Sequence, residues 1–487
     1  MCFSSLLVAC LSVDWQPFLG SCQYAKTELA LGSRSPVGLQ EMHVRFVAAV
    51  IFTTAVLFSQ SAKISTHNDS SVPPLPAPGG QFTVGRVTYY WTNLSRPEPL
   101  STKVGAHREV VVYVWYPVAR AAEAISPAPY FPDFKVARAA ISDADFKDMF
   151  RPADEQILQN GLPLTHAVEG GRMLHENTRY PVLLFSHGWG LQSALYTAAL
   201  EDLASHGYVV AAIDHPYDTA VTVFSDGHIA KFAQDKFDAA AKQPHGYIDY
   251  AYERTEIMAA DVPFVIDELT RYDNTPQLGA PFAGHLNLSR VGAFGHSIGG
   301  MVSARACQTD IRIRACIDED SIDDLGSPFS VIVPGSIPKQ PFLLFIAASA
   351  DIFSAEAVHP SDESLAKQKL SRAEYDQLIQ KQQRKQNELL GDIAGGAYRV
   401  MLFELPGITH RSFSDLPMIA AGHDQSKSAQ ALHNFQIIQE YIRCFFDKYL
   451  NGDQNTVLDH KYQPDEHVRV DRFEPAAKAD ASRLQTH

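Results

Sequence analysis

Apolar and polar positions along the chain fall into two alternating patterns. Short, nearly continuous apolar runs of strand length occur at Val84–Trp91, Glu109–Tyr116, Pro181–Ser186, Tyr208–Ile213, Arg290–Gly295, Ile313–Asp318, Pro341–Ala348 and Tyr398–Leu405. Several are rich in β-branched and aromatic residues, as strands covered on both faces should be. Between the later runs, apolar residues recur every three or four positions. Met258, Val262, Val265, Ile266 and Leu269 form one such stripe, and Phe435, Ile438, Tyr441, Ile442, Phe445 and Tyr449 form another. Strands alternating with amphipathic helices predict an α/β domain with a mostly parallel sheet and helices on both faces. The first two runs have no helix between them, which predicts an antiparallel pair at one side of that sheet.

The segments flanking this pattern read differently. His43 and Arg45 precede an apolar stretch, Phe46 to Phe58, followed by Ser59, Gln60, Ser61 and Ala62. A positive start, a 7–15-residue apolar core and small residues at the cut describe a secretory signal. Met42 sits immediately before it, so residues 1–62 are expected to be an N-terminal extension plus signal, with the true start at Met42 and a secreted or periplasmic product. A short membrane anchor is the alternative. Residues 63–81, with Pro73, Pro74, Pro76, Pro78, Gly79 and Gly80, read as an extended linker. The domain is expected over 82–450 and a polar tail over 451–487. About fifty residues separate the last two predicted strands, too many to be structureless. Ser371 and Glu374 match a capping box ahead of Tyr375, Leu378 and Ile379. A helical insertion over 355–396 is therefore expected, as a solvated excursion, a lid over the site or a lipid-touching element.

Charge and cysteine content narrow the chemistry. Among 487 residues, 41 Lys+Arg stand against 55 Asp+Glu, a net charge of −14. An acidic chain with no basic block is not expected to bind nucleic acid. No apolar run reaches about 18 residues, so a polytopic membrane protein is not expected. Beyond the signal, Cys307, Cys316 and Cys444 remain. They lack zinc-site spacing. A Cys307–Cys316 bridge and three buried thiols are both compatible with the sequence.

The candidate chemistry sits at strand ends. Gly295-His296-Ser297-Ile298-Gly299 follows a strand-like run and precedes a helix-compatible one. That is the context a nucleophile elbow requires, and it nominates Ser297. Ser186-His187-Gly188-Trp189-Gly190 follows another strand. In an α/β-hydrolase fold, that loop and the residue after the nucleophile supply oxyanion-hole N–H groups, here Trp189 and Ile298. His187 comes too early in the chain for the base and reads as a loop-fixing residue. His410, directly after the last predicted strand, has the position of the base. The acid is open on physical grounds: Asp318, Asp320, Asp323 and Asp324 follow one strand, and Asp351 the next. No metal or organic cofactor is expected, since nothing matches H-E-x-x-H, a P-loop or a dinucleotide fingerprint.

Taken in order, Tyr180–Gly188, Asp202–Ala212, Gly295–Gly300 and His410–Asp415 resemble the platelet-activating-factor acetylhydrolase family, particularly its secreted and bacterial lipase-like members. The resemblance spans most of 84–450. It implies an α/β-hydrolase fold, to which this chain's pattern adds the helical insertion before the histidine. It also implies calcium-independent release of short or oxidised acyl chains from phospholipid-like esters, and transient contact with a membrane or lipoprotein surface. In the stretch Arg314–Asp320 it places the acid on Asp320, ahead of Asp351 and Asp318. A general carboxylesterase or polyester hydrolase is a competing expectation, and a catalytically silent binding protein a further one. Two features depart from the family pattern. Glu319 and further acids surround Asp320, which predicts a more acidic site, and the insertion around Ser361–Ile393 is long.

Overall fold

A computed structural model describes residues 75–118, 126–174, 178–243, 246–321, 337–347, 361–367, 371–402, 404–454, 457–459 and 465–474. Their centre is a ten-stranded sheet built from β1 (Thr83–Pro97), β2 (His107–Val118), β3 (Val168–Glu169), β4 (Tyr180–Ser186), β5 (Val209–Asp214), β8 (Leu286–His296), β9 (Ile313–Glu319), β10 (Phe342–Ile346), β11 (Ala397–Met401) and β12 (Arg469–Phe473), while β6 (Val221–Val223) and β7 (Ile229–Lys231) form a separate hairpin. The order across the sheet is β12-β11-β10-β9-β8-β4-β5-β2-β1-β3. From β5 through β4, β8, β9 and β10 to β11 every neighbouring pair is parallel. The β1–β2 and β2–β5 pairs are antiparallel. This is the α/β-hydrolase fold.

Strand alternation explains how the sheet is covered on both sides. On β4, Leu183 and Phe185 join one buried cluster with Phe294, Ala315, Ile317 and Phe345. The helices Thr197–Ser205 and Gln425–Phe446 cover that face, the latter with Ile438, Tyr441, Ile442 and Phe445. Val182 and Leu184 join the other cluster with Val291, Ala293 and Cys316, beneath the helices Gly246–Ala259, Asp261–Asn274 and Ile298–Thr309. Fully burying each such Val, Leu, Ile or Phe is worth about 1.5–3 kcal/mol, so the central strands are the best anchored part of the molecule. Of the two cysteine arrangements, the structure has the Cys307–Cys316 disulfide, which ties the helix Ile298–Thr309 to β9, and Cys444 is a half-buried free thiol.

Three regions differ from their sequence reading. The helix Arg372–Gly391 starts at the expected capping box, with Ser371 and Glu374 bonded reciprocally. Its far end does not stand over the site: Leu390 and the following Ile393 pack with Phe342 and Ala397 at the foot of β10 and β11. It is part of the crossover that two adjacent parallel strands require. The stretch read as a polar tail contributes β12, paired antiparallel to β11, with Asp471 bonded to Arg399. Part of the stretch read as a linker is anchored: Leu75 is buried, and the Gly79 and Gly80 amides donate to the Asp202 carboxylate and Ser205 hydroxyl. The expected signal segment lies outside the described residues. Among the described residues no helix is long and apolar enough to cross a membrane.

Candidate active site

The buried run Val291–His296 carries β8 to the middle of the sheet edge, where the chain turns sharply into the helix Ile298–Thr309. Ser297 makes that turn with φ +58° and ψ −127°, a conformation that costs a non-glycine residue of order 1–3 kcal/mol. The turn is held by the Ser297 amide, which donates to the Glu319 carbonyl at 2.9 Å, and by the Ser297 carbonyl, which accepts from the Gly300 amide at 2.8 Å. Gly299 is required by contact. A Cβ there would come closer than 3.0 Å to the Ser186 and His187 carbonyl oxygens. The start of the helix therefore lies directly against the end of β4. Ile298 heads the helix, so its N–H is one of the amides with no carbonyl one turn back to bond to.

Asp320 follows β9 with φ +57°. Strand alternation alone would send Asp318 and Asp320 to one face. The positive φ breaks that alternation, and the two carboxylates part. Asp318 lies against Gly300 and accepts from the Ser321 amide and hydroxyl at 3.0 and 2.8 Å. Asp320 accepts from the Ala347 amide through Oδ1 at 2.8 Å and faces His410 Nδ1 through Oδ2 at 2.7 Å. A carboxylate can only accept, so the His410 proton sits on Nδ1 and Nε2 presents a lone pair. His410 opens a short turn, His410–Phe413, in which the Thr409 amide donates to Ser412 Oγ at 2.9 Å. Its ring lies 4.4 Å, centroid to centroid, from that of His296, the neighbour of Ser297 in the chain. Ser297 and Asp320 are each 7% exposed and His410 is 2% exposed. The fold thus joins Asp320 to His410 and sets the backbone of Ser297 beside them, its amide on the Glu319 carbonyl and its neighbour His296 against the His410 ring.

Asp318 and Glu319, the acids adjoining Asp320, are buried. Burial pushes the Asp318 carboxyl up to about 7. Burial, and then Asp318, push Glu319 well above the ordinary carboxylate range. Both are biased toward the neutral form. Asp323, Asp324 and Asp351 lie outside the described residues.

The loop Ser186–Gly190 follows β4. Its Gly188 amide donates to the Tyr196 hydroxyl at 3.0 Å, and its Gly190 amide donates to the Asp218 carbonyl at 2.9 Å. The Trp189 indole N–H donates to Asp218 Oδ1 at 3.1 Å, and Asp218 is paired with buried Arg254. The indole stacks on Tyr250 at 5.6 Å and meets Phe237 edge-on at 5.2 Å. Because the Ser186 carbonyl abuts Gly299, Trp189 and Ile298 belong to the same rim. His187 accepts from the His215 amide through Nε2 at 3.1 Å, so its Nδ1–H donates to the Gly188 carbonyl at 2.8 Å. Burial brings it down to about 4. It is a neutral strut of the loop.

Sequence reading passed over Tyr196, His215, Asp218, Arg254 and Asp261, all buried around this loop. Their signal was absent from local pattern, since each acts through partners far along the chain. His296 was in view within the pentapeptide but carried no role. It accepts from the Tyr196 hydroxyl at 2.9 Å. Among the described residues, no group of three or more His, Cys, Asp or Glu side chains is arranged to hold a metal ion.

Comparison with known proteins agrees with the sequence resemblance. Residues 69–248 match the family model described as platelet-activating factor acetylhydrolase, isoform II. A protein of Arthroderma benhamiae named "Probable 1-alkyl-2-acetylglycerophosphocholine esterase" is 26% identical over 282 residues, 56% of this chain and 66% of that one. A platelet-activating factor acetylhydrolase of Cavia porcellus is 28% identical over 189 residues, 35% of this chain and 41% of that one. The chain thus spans just under two thirds and about two fifths of these relatives. Among solved structures, a ferulic acid esterase from Streptomyces cinnamoneus superposes with a TM-score of 0.55 at 23% identity, covering 82% of this chain and 99% of its own.

Proposed function

We propose that this chain, similar to the platelet-activating factor acetylhydrolase family, is a secreted serine esterase that cleaves carboxylic esters through an acyl-enzyme. Short-chain or phospholipid-like esters are the substrates this reading favours. The observation that carries it is the 2.7 Å contact between Asp320 Oδ2 and His410 Nδ1, beside a serine held in a strained elbow.

Ser297 Oγ attacks the ester carbonyl carbon while His410 Nε2 takes its proton. Asp320 holds the tautomer in which Nε2 carries no proton and stabilises the imidazolium that forms. The Trp189 and Ile298 amides donate to the tetrahedral oxyanion, each worth about 3–4 kcal/mol in the transition state. His410 returns the proton to the departing alcohol oxygen. Water, deprotonated by the same imidazole, then attacks the acyl-enzyme and releases the acid and Ser297. The match to the family model ends at residue 248, ahead of Ser297, Asp320 and His410, so their roles rest on geometry. The signal-like segment at 42–62 supports export.

Purified protein and Ser297→Ala, assayed on p-nitrophenyl acetate, test the reading. Wild-type turnover with a loss of at least about a thousandfold in the variant is expected. Equal rates would remove the serine mechanism. An ester panel of increasing acyl length, with and without a glycerophosphocholine alcohol, tests the substrate class: a flat profile would favour a generalist carboxylesterase.

A further inference from the structure

Behind the proposed oxyanion loop lies a second serine, histidine and aspartate joined in the order of a catalytic triad. His215 Nδ1–H donates to Asp261 Oδ2 at 2.8 Å, and the Ser186 hydroxyl donates to His215 Nε2 at 3.1 Å. This set cannot serve as a second reactive centre. His215 and Asp261 are inaccessible, and Ser186 is 3% exposed as the last residue of β4. Asp261 is further held by Arg108, whose Nη2 lies 2.7 Å from Oδ2, and by Arg96. Arg108 also bonds Glu98 at 2.7 Å and the Pro216 carbonyl at 3.0 Å. Asp261 opens the helix Asp261–Asn274, where the helix dipole favours a carboxylate. Desolvation alone would raise the Asp261 carboxyl, but Arg108 and His215 outweigh it and hold it ionised.

The cluster is anchored to β2, to the chain after β5 and to a helix end, and His215 is the residue through which it bonds Ser186 and His187. His215 accepts from the Ser186 side chain through Nε2, and its own amide donates to His187 Nε2. It therefore grips two consecutive residues, Ser186 and His187, immediately ahead of Gly188 and Trp189. Ser186 is also the residue whose carbonyl abuts Gly299 at the start of the nucleophile helix. A shift of Ser186 would move both oxyanion donors relative to Ser297. Buried polar networks with every member satisfied are rigid, and positioning at the level of about 0.5 Å decides whether amide donors stabilise a transition state.

We propose that His215 is a positioning residue of the esterase reaction: braced by Asp261 and Arg108, it fixes Ser186 and His187 so that the Trp189 amide stays aimed at the oxyanion. This inference rests on the esterase reading above. It assigns a role in the reaction to a residue that never touches substrate.

The test compares wild type with Ser186→Ala, which deletes one hydroxyl, and with His215→Gln. A fluorophosphonate titration counts competent sites, so rates are expressed per active serine. The expected result is a per-site kcat lower by about 3–10-fold in Ser186→Ala and by at least about 30-fold in His215→Gln, with KM within twofold. The inhibition constant of a trifluoromethyl ketone, whose adduct carries the oxyanion, should rise in step with the loss in kcat/KM. A merely structural role would lower the number of titratable sites and leave per-site kcat and ketone affinity unchanged. That outcome in both variants overturns the inference alone. A wild type that neither turns over ester nor takes the fluorophosphonate overturns the esterase reading and this inference together.

Discussion

Replacing Asp320 by asparagine is the sharpest perturbation of the proposed mechanism, and the structure dictates its consequence. Oδ1 of Asp320 accepts from the Ala347 amide, a buried donor that must keep an acceptor. The asparagine carbonyl oxygen takes that place, so its NH2 group turns toward His410 Nδ1. The histidine then accepts at Nδ1 and carries its proton on Nε2, the tautomer that cannot receive a proton from Ser297. The imidazolium, 2% exposed, also loses its counter-charge. Two unit charges about 4 Å apart at an effective dielectric of about 20 interact by about 4 kcal/mol, or roughly a thousandfold in rate. With the wrong tautomer added, a loss of about ten-thousandfold in kcat is expected. Asp318→Asn is the control, because that carboxyl faces Gly300 and Ser321 and should stay within about threefold of wild type. The measurement is kcat and KM on p-nitrophenyl acetate for wild type, Asp318→Asn, Asp320→Asn and Asp351→Asn. An Asp320→Asn enzyme within tenfold of wild type, or an equal loss in either of the others, would refute the assignment.

Three further outcomes are defined, two of them in the same corner of the molecule. The Asp318 carboxyl sits at about 7 when folded against an ordinary value of 3.8, so the folded state binds more protons across that window. Its contribution to stability is fully present below about pH 4 and is lost as pH rises through about 7, a decline on the order of 4 kcal/mol. Urea unfolding at pH 4.5, 6 and 8 should show Asp318→Asn gaining on wild type as pH rises; parallel stability curves would contradict the assignment. Gly299→Ala should lose at least about 2 kcal/mol of stability and tenfold or more in kcat, because its Cβ meets backbone oxygens that cannot move aside. Gly391→Ala, with open space around its Cβ, should be neutral or slightly stabilising by denaturant titration.

What could be read from the sequence is what short-range pattern encodes. The eight apolar runs all appear as strands; those at the parallel centre, such as Tyr180–Ser186 and Val209–Asp214, are buried along their whole length and must be apolar almost throughout. The elbow at Ser297 was legible because its glycines are demanded by contacts within one turn and with the adjoining strand. Position after a strand was enough to nominate Trp189, Ile298 and His410, since the fold delivers strand ends to a common edge. Tertiary structure decided the rest. The short edge strand Arg469–Phe473 carries charges on an exposed rim and has no apolar pattern to betray it. The helix Arg372–Gly391 looked like an insertion, and only the parallel pairing of β10 with β11 makes it a crossover. Four aspartates after one strand are equivalent in pattern. A single backbone angle at Asp320 turns one of them to the histidine. The bracing of His215 by Asp261, itself held by Arg108, joins residues 46 and 153 positions apart, and no local propensity records such a contact, because its energy exists only once the intervening chain has folded.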